Sequence, residues 1–138
     1  RTGWSSFDKI SIVNSGGTEL TSSTNNWDDT WAYRLGAIYQ MNPTTKLMFG
    51  YSYDETPQPD EYFSARVPDD DRQLFSLGMT RDFGNWDLEL AYMLVDVDTR
   101  DVNSADAYTG AEPNGTDAYN GTYKSDSDLI SVGVSMKF

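Results

Sequence analysis

No cysteine and no histidine occur in this chain of 138 residues. Without cysteine there are neither disulfides nor thiolate metal sites, a composition that suits the oxidising periplasm and the cytosol equally. Without histidine most Ser or Cys nucleophile arrangements lose their usual base, and most zinc sites lose a usual ligand. Basic residues are scarce: 10 Lys and Arg stand against 22 Asp and Glu, a net charge of −12. Phosphate neutralisation needs a basic surface, so nucleic acid is excluded as a partner. No run of about 18 apolar residues is present, which excludes a transmembrane helix. A transmembrane barrel is not excluded by the negative mean hydropathy, because its strands alternate apolar and polar residues and average to a polar value. No secretory leader opens the chain. Arg1-Thr2-Gly3-Trp4 reads as the middle of a strand, so the expectation is a signal already removed or a longer N-terminal part preceding it.

What the chain does have is aromatic side chains, 14% of the total, and a strict period of two. Trp31, Tyr33, Leu35, Ala37, Tyr39 and Met41 share one face of a strand, with Ala32, Arg34, Gly36, Ile38 and Gln40 on the other. The pattern repeats with Leu47, Phe49, Tyr51 and Tyr53, then Phe75, Leu77 and Met79, then Leu88, Leu90, Tyr92 and Leu94. It repeats a last time with Ile130, Val132, Val134, Met136 and Phe138. A first segment, 4–13, alternates less cleanly and suggests a bulge. About six strands are predicted.

The connections have a polarity. Asn42-Pro43-Thr44-Thr45 and Asp82-Phe83-Gly84-Asn85 read as tight turns. Residues 14–29, 55–71 and 99–128 read as long polar loops, the last without predicted structure. Short turns on one side and long loops on the other are the layout of outer-membrane barrels, whose long loops face outside. Both tight turns would then lie in the periplasm, with Phe138 at the periplasmic rim. Trp4, Trp31, Tyr53, Phe83, Trp86 and Phe138 sit near strand ends, as in interfacial girdles. Arg34, Glu89 and Lys137 fall on the mixed face by parity. Arg81 and Asp96 fall on the apolar face near strand ends, and no charge is expected there mid-strand. A soluble sandwich also alternates, but its apolar face is a core and its loops seldom sort by length.

Leu35-Gly36, then 48–59 ending in Thr56-Pro57-Gln58-Pro59, then Val67-Pro68-Asp69-Asp70-Asp71-Arg72 resemble the FadL/TodX family of outer-membrane transporters for long-chain fatty acids and hydrocarbons. Ser76-x-Gly78, the closing Phe138 and Trp4-Ser5-x-Phe7 fit the same family. The resemblance spans nearly the whole chain and is weakest over 99–128. It implies an all-β fold: a transmembrane antiparallel β-barrel of fourteen strands with an N-terminal hatch, in the bacterial outer membrane. Residues 1–138 would be its C-terminal segment, about six strands. Because open edges are not tolerated in lipid, the remaining strands and hatch are expected elsewhere on the gene product or on another chain. The family's ligand is captured outside, passed to a lumenal pocket and released sideways at a kinked strand by passive diffusion. Such transport uses no cofactor, and its capture parts belong to the N-terminal portion. The implied partners are outer-membrane lipid or lipopolysaccharide and hydrophobic small molecules.

The residues of the mixed, lumen-facing side give the candidate ligand site. Gly36, Gly50, Gly78 and Gly133 point inward on four strands and suggest space for a plug or ligand; small residues where a barrel curves explain them equally. Ile38, Met48, Leu74 and Met93 add apolar lumen surface suited to an alkyl chain, or to packing against the hatch. Arg34 is an inward cation that could pair with a carboxylate ligand or with a neighbouring Asp or Glu. Asp54-Glu55, Asp60-Glu61 and Asp69-Asp70-Asp71 could gather Ca²⁺, although they lack EF-hand spacing and fit a solvated loop. Asn114-Gly115-Thr116 and Asn120-Gly121-Thr122 match a glycosylation sequon, but Gly-Thr turns explain them as well. Asp87 and Glu89 form a carboxylate pair with Lys137 as neutralising neighbour, which favours a structural role over acid–base work; no enzyme is expected. The competing readings are a structural or adhesive surface β protein and a general porin, whose lumen would be richer in charge.

Overall fold

A computed structural model describes residues 1–59, 62–63, 68–102 and 121–137. Among these, seven strands form: β1 (Lys9–Val13), β2 (Glu19–Thr24), β3 (Ala32–Asn42), β4 (Thr45–Asp54), β5 (Arg72–Asp82), β6 (Trp86–Val102) and β7 (Gly121–Met136). β1 and β2 pair with each other, and the rest form a five-stranded meander in the order β3-β4-β5-β6-β7. No helix is long and apolar enough to cross a membrane. The chain divides into two compact units. A sheet unit holds Tyr33–Asp54, Arg72–Val97 and Asp126–Phe138; a loop unit holds Arg1–Ala32, Glu55–Asp71 and Asp98–Ser125.

In the sheet unit the register lines up the side chains predicted to share a face. Phe49 lies opposite Leu77 and Leu77 opposite Tyr92; Tyr51–Phe75–Leu94 and Leu47–Met79–Leu90 form the adjoining rows. These three wholly apolar rows are bounded by Tyr53–Gln73–Asp96 on one side and Thr45–Arg81–Leu88 on the other. The bounding rows are eight residues apart, about 26 Å of strand. At a barrel tilt of about 40° that becomes roughly 20 Å, close to the apolar band of about 25 Å that outer-membrane barrels present to lipid. Rings flank the band at both ends. Tyr33 stacks on Tyr53 at 6.4 Å, and Phe83 stacks on Trp86 at 4.2 Å with their planes 8° apart.

Within the sheet unit no described residue seals this face. Leu77 is 53% exposed, Leu35 75% and Ile130 79%, and among the described residues the buried apolar side chains are Pro57 and Phe63, both in the loop unit. A soluble sandwich would recover about 1.5–3 kcal/mol by burying each such side chain. This sheet is a single layer with its apolar side open.

The turns follow from local chemistry. Asn42 Oδ1 accepts from the Thr44 N–H at 3.0 Å, closing the first turn. In the second, Gly84 takes φ of 91°, a left-handed value that disfavours side chains, while its N–H donates to Asp82 Oδ1 at 2.6 Å. The Lys137 N–H donates to Asn85 O, and Gly133 lies beside the Glu89 side chain, which fixes β7 against β6.

Three expectations need correction. Residues 14–29 are not one long loop, because β2 lies within them and pairs with β1. Asn14 Oδ1 accepts from the Gly16 and Thr18 N–H groups, and Gly17 takes φ of 80°, so a tight turn forms. The first strand accordingly spans Lys9–Val13 rather than 4–13, and the expected irregularity lies at Ile12/Val13. Second, β6 runs on to Val102 and β7 begins at Gly121, inside the segment read as structureless. Their ends are polar on both faces, so no apolar period marks them; a side-chain bond from Thr122 to Asp101 joins them. Third, charges do lie within strands on the apolar face: Asp96, expected near a strand end, lies six residues before the end of β6, and on β7 Asp128 accepts from the Tyr92 hydroxyl. Both follow because β6 and β7 run on beyond the residues whose apolar period is visible in the sequence.

The loop unit is built around polar anchors. Asp29 Oδ1 accepts from the Trp4 and Ser5 N–H groups at 2.7 and 2.8 Å, and Arg1 lies 3.0 Å from its other oxygen. These N–H bonds, the Ser5 one first, hold the Asp29 carboxyl below the usual carboxylate range. Trp27 packs edge-on against Trp4 and Phe7 nearby. Arg100, buried at 7% exposure, donates to Asp69 O at 2.6 Å and Gln58 O at 3.1 Å and lies 5.1 Å over the Phe63 ring.

Candidate functional site

The face of the sheet unit opposite the apolar band carries the predicted lumen residues. Its rows are Ser52–Leu74–Val95, Gly50–Ser76–Met93, Met48–Gly78–Ala91 and Lys46–Thr80–Glu89. The structure therefore brings Met48, Leu74 and Met93 onto adjacent rows. An open groove of about 460 Å³ runs along the middle two rows, lined by Met48, Gly50, Ser76, Gly78, Ala91 and Met93 and continued by Leu129 and Ser131. Leu74 sits one row beyond it. Ile38, on β3, is 73% exposed and does not line the groove, nor does Arg34.

The four inward glycines are not equivalent. A Cβ on Gly50 would collide with Ser76 Oγ, and one on Gly78 would come 3.1 Å from Met48 Cε. These two glycines make room for the side chains facing them across the ladder, and Met48 spreads into the groove because Gly78 is bare. Gly36 and Gly133 have only ordinary contacts, 3.7 and 3.5 Å from their nearest neighbours.

Charges on this face gather at its two ends. At one end Arg34 donates to Asp54 Oδ1 at 3.2 Å, Arg72 Nε lies 3.8 Å from Asp54 Oδ2, and the Ser52 hydroxyl donates to Asp54 at 2.7 Å. At the other, Lys137 lies 2.9 Å from Asp82 and 3.1 Å from Asp87. Lys137 sits past the end of β7, and the two carboxylates, Asp82 first, raise its ammonium above the usual lysine value. The sequence pointed to Asp87 as a partner of Lys137 but missed Asp82, and it missed Asp54 as the hub for two arginines. Parity was the available signal: Arg34, Asp54 and Arg72 are all even-numbered residues on one face. Glu89 lies against Gly133 instead of Lys137.

The acidic loop residues act as local acceptors. Glu55 takes the Trp31 N–H, Asp71 the Thr56 N–H and Asp69 the Thr56 hydroxyl. No three carboxylates converge as a metal cradle among the described residues. Asp60, Glu61, Val67, Asn114, Asn120 and Phe138, each singled out in the sequence, lie outside the described residues.

A one-layer sheet with an open apolar band, ringed ends and a far side of small residues is the wall of a membrane barrel. A family model for outer membrane protein transport proteins (OMPP1/FadL/TodX) matches residues 1–138. The chain belongs to this family. Relatives include an outer membrane protein of Neisseria meningitidis serogroup B, 28% identical over 96% of this chain and 28% of that protein. A 47 kDa outer membrane protein of Pasteurella multocida is 34% identical over 59% of this chain and 19% of its own length. The long-chain fatty acid transport protein of Escherichia coli K12 is 27% identical over 67% of this chain and 21% of its own length. A crystal structure of a Pseudomonas aeruginosa FadL homologue superposes with a TM-score of 0.68 at 21% identity, over 95% of this chain and 28% of that one. The chain thus spans between a fifth and three tenths of the length of these proteins. It is an all-β part of an outer-membrane FadL-type barrel, in a family of transport proteins rather than enzymes.

Proposed function

We propose that this chain forms the C-terminal wall of a passive outer-membrane transporter for long-chain fatty acids or similar hydrophobic compounds, its other strands and hatch lying on the same polypeptide. The observation that carries this reading is the distribution of charge on the inward face. The two middle rows, Gly50–Ser76–Met93 and Met48–Gly78–Ala91, hold no charge, while the ionic clusters sit at the ends. An alkyl chain gains from a groove lined by thioethers and methyls, and methionine adapts to irregular shapes. A general porin needs charge where its lumen narrows, and these rows offer none. Arg34 has Asp54 as partner, so it is not required to await a ligand carboxylate.

The test is a groove-filling change in the full-length barrel. Gly78→Leu should weaken binding of a fluorescent fatty acid about tenfold or more, while heat-modifiable gel mobility shows the barrel intact. Unchanged affinity with an intact barrel would remove this groove from the ligand path. Small hydrophilic solutes entering liposomes faster than fatty acid would favour the porin reading.

A further inference from the structure

The outward face carries a feature that transport does not use. An apolar groove of about 470 Å³ runs between side chains of β4 to β7, lined by Leu47, Phe49, Leu77, Met79, Leu90 and Ile130 among others. Its last row, Leu47–Met79–Leu90, is followed on the same face by Thr45–Arg81–Leu88. Arg81 is exposed, and its guanidinium lies 5.1 Å over the Phe83 ring, itself stacked on Trp86. No carboxylate among the described residues pairs with Arg81, because Asp82 and Asp87 on the opposite face are both bonded to Lys137. In a chain of net charge −12 this is a cation left facing outward at the edge of an apolar band. The ring beneath fixes its position and leaves its N–H fork free for a bidentate acceptor.

We propose that this face seats one phospholipid of the periplasmic leaflet, its phosphate on Arg81 and an acyl chain along the groove past Met79 toward Leu77. The dimensions are compatible: Leu77 is four residues from Arg81, about 13 Å of strand or roughly 10 Å of depth at the same tilt, which lies within one leaflet of hydrocarbon about 15 Å deep. The stacked Phe83 and Trp86 mark the headgroup level, where aromatic side chains settle. The proposal rests on the sheet's place in the outer membrane and on the tight turns facing the periplasm, and it is independent of what the lumen carries.

The experiment uses the delipidated full-length barrel in non-ionic detergent, titrated with phosphatidylglycerol or with diacylglycerol of the same chains and read by native mass spectrometry. Arg81→Ala should weaken phosphatidylglycerol binding about tenfold and leave diacylglycerol unchanged, the loss expected for a charge-assisted bond. Arg81→Lys should recover part of it. Leu77→Trp, which fills the groove, should weaken both lipids. Gel mobility checks each fold, with Arg81→Gln in place of an Ala variant that does not fold. Equal phosphatidylglycerol binding by wild type and Arg81 variants would overturn the proposal, leaving annular lipid only. So would an inert Leu77→Trp, or preferential retention of lipopolysaccharide over phosphatidylglycerol.

Discussion

Replacing Leu77 by arginine separates a lipid-facing wall from a water-facing one. Leu77 sits in the central apolar row between Phe49 and Tyr92, four residues from Gln73 at one margin and four from Arg81 at the other. That puts about 13 Å of strand on either side, too far for an arginine to reach either margin without drawing water into the hydrocarbon. At such depth a lipid-facing arginine costs about 2–4 kcal/mol, against about 0–1 near the interface. Gln73→Arg, in the bounding row on the same strand and face, is the internal control and should cost under about 1 kcal/mol. The two substitutions differ in depth, and Leu77 is already 53% exposed, so lost packing contributes little. The assay is denaturant-induced unfolding of the full-length barrel folded into phospholipid vesicles. If the face met water, an exposed leucine changed to arginine would shift stability by no more than about 0.5 kcal/mol. A Leu77→Arg penalty of that size, equal to the Gln73→Arg penalty, would refute the reasoning.

Other outcomes follow from the ionic groups. Asp54→Ala should destabilise the sheet more than Arg34→Ala, because Asp54 serves Arg34, Arg72 and Ser52 while Arg34 is an exposed member worth about 0–1 kcal/mol; the same unfolding assay ranks them. Fatty acid affinity should be unchanged in Arg34→Ala, and a clear loss would make Arg34 a ligand residue. Arg100→Ala removes the side chain that donates to Asp69 O and Gln58 O and should loosen the 55–71 connection by about 3 kcal/mol, seen as faster proteolysis there with the barrel intact. Asp29 titrates below its unfolded value, so its contribution is complete above about pH 4 and is lost as pH falls through the lower folded value. Trp4 and Trp27 fluorescence should report that acid transition, and Asp29→Ala should abolish it.

The β3 to β7 meander was legible because alternation is a direct record of two unlike media on the two faces of a strand. Where the media are alike, the record stops. The ends of β6 and β7 have polar residues on both faces, and β2 is a run of Ser and Thr after Leu20, so neither shows a period. The tight turns could be read from Pro43 and Gly84, but the Asn14 turn depended on a side chain accepting two backbone N–H groups. At the candidate site, parity put Met48, Leu74 and Met93 on one face, and pairing then made them neighbours. Parity could not say that Ile38 and Arg34 lie off the groove, since that depends on which strands border it. Nor could it separate Gly50 and Gly78, which seat opposing side chains, from Gly36 and Gly133, which do not.

No native cysteine lies in this part of the wall, and single-cysteine spin labelling, with any cysteine elsewhere in the barrel replaced, is the most direct test of which medium touches the apolar face. Labels at 74 to 79, placed one at a time in the full-length barrel in vesicles, should alternate. Positions 75, 77 and 79 should be open to oxygen dissolved in lipid and shielded from a water-soluble nickel relaxant. Equal access of the nickel reagent to 75, 77 and 79 would contradict the membrane assignment.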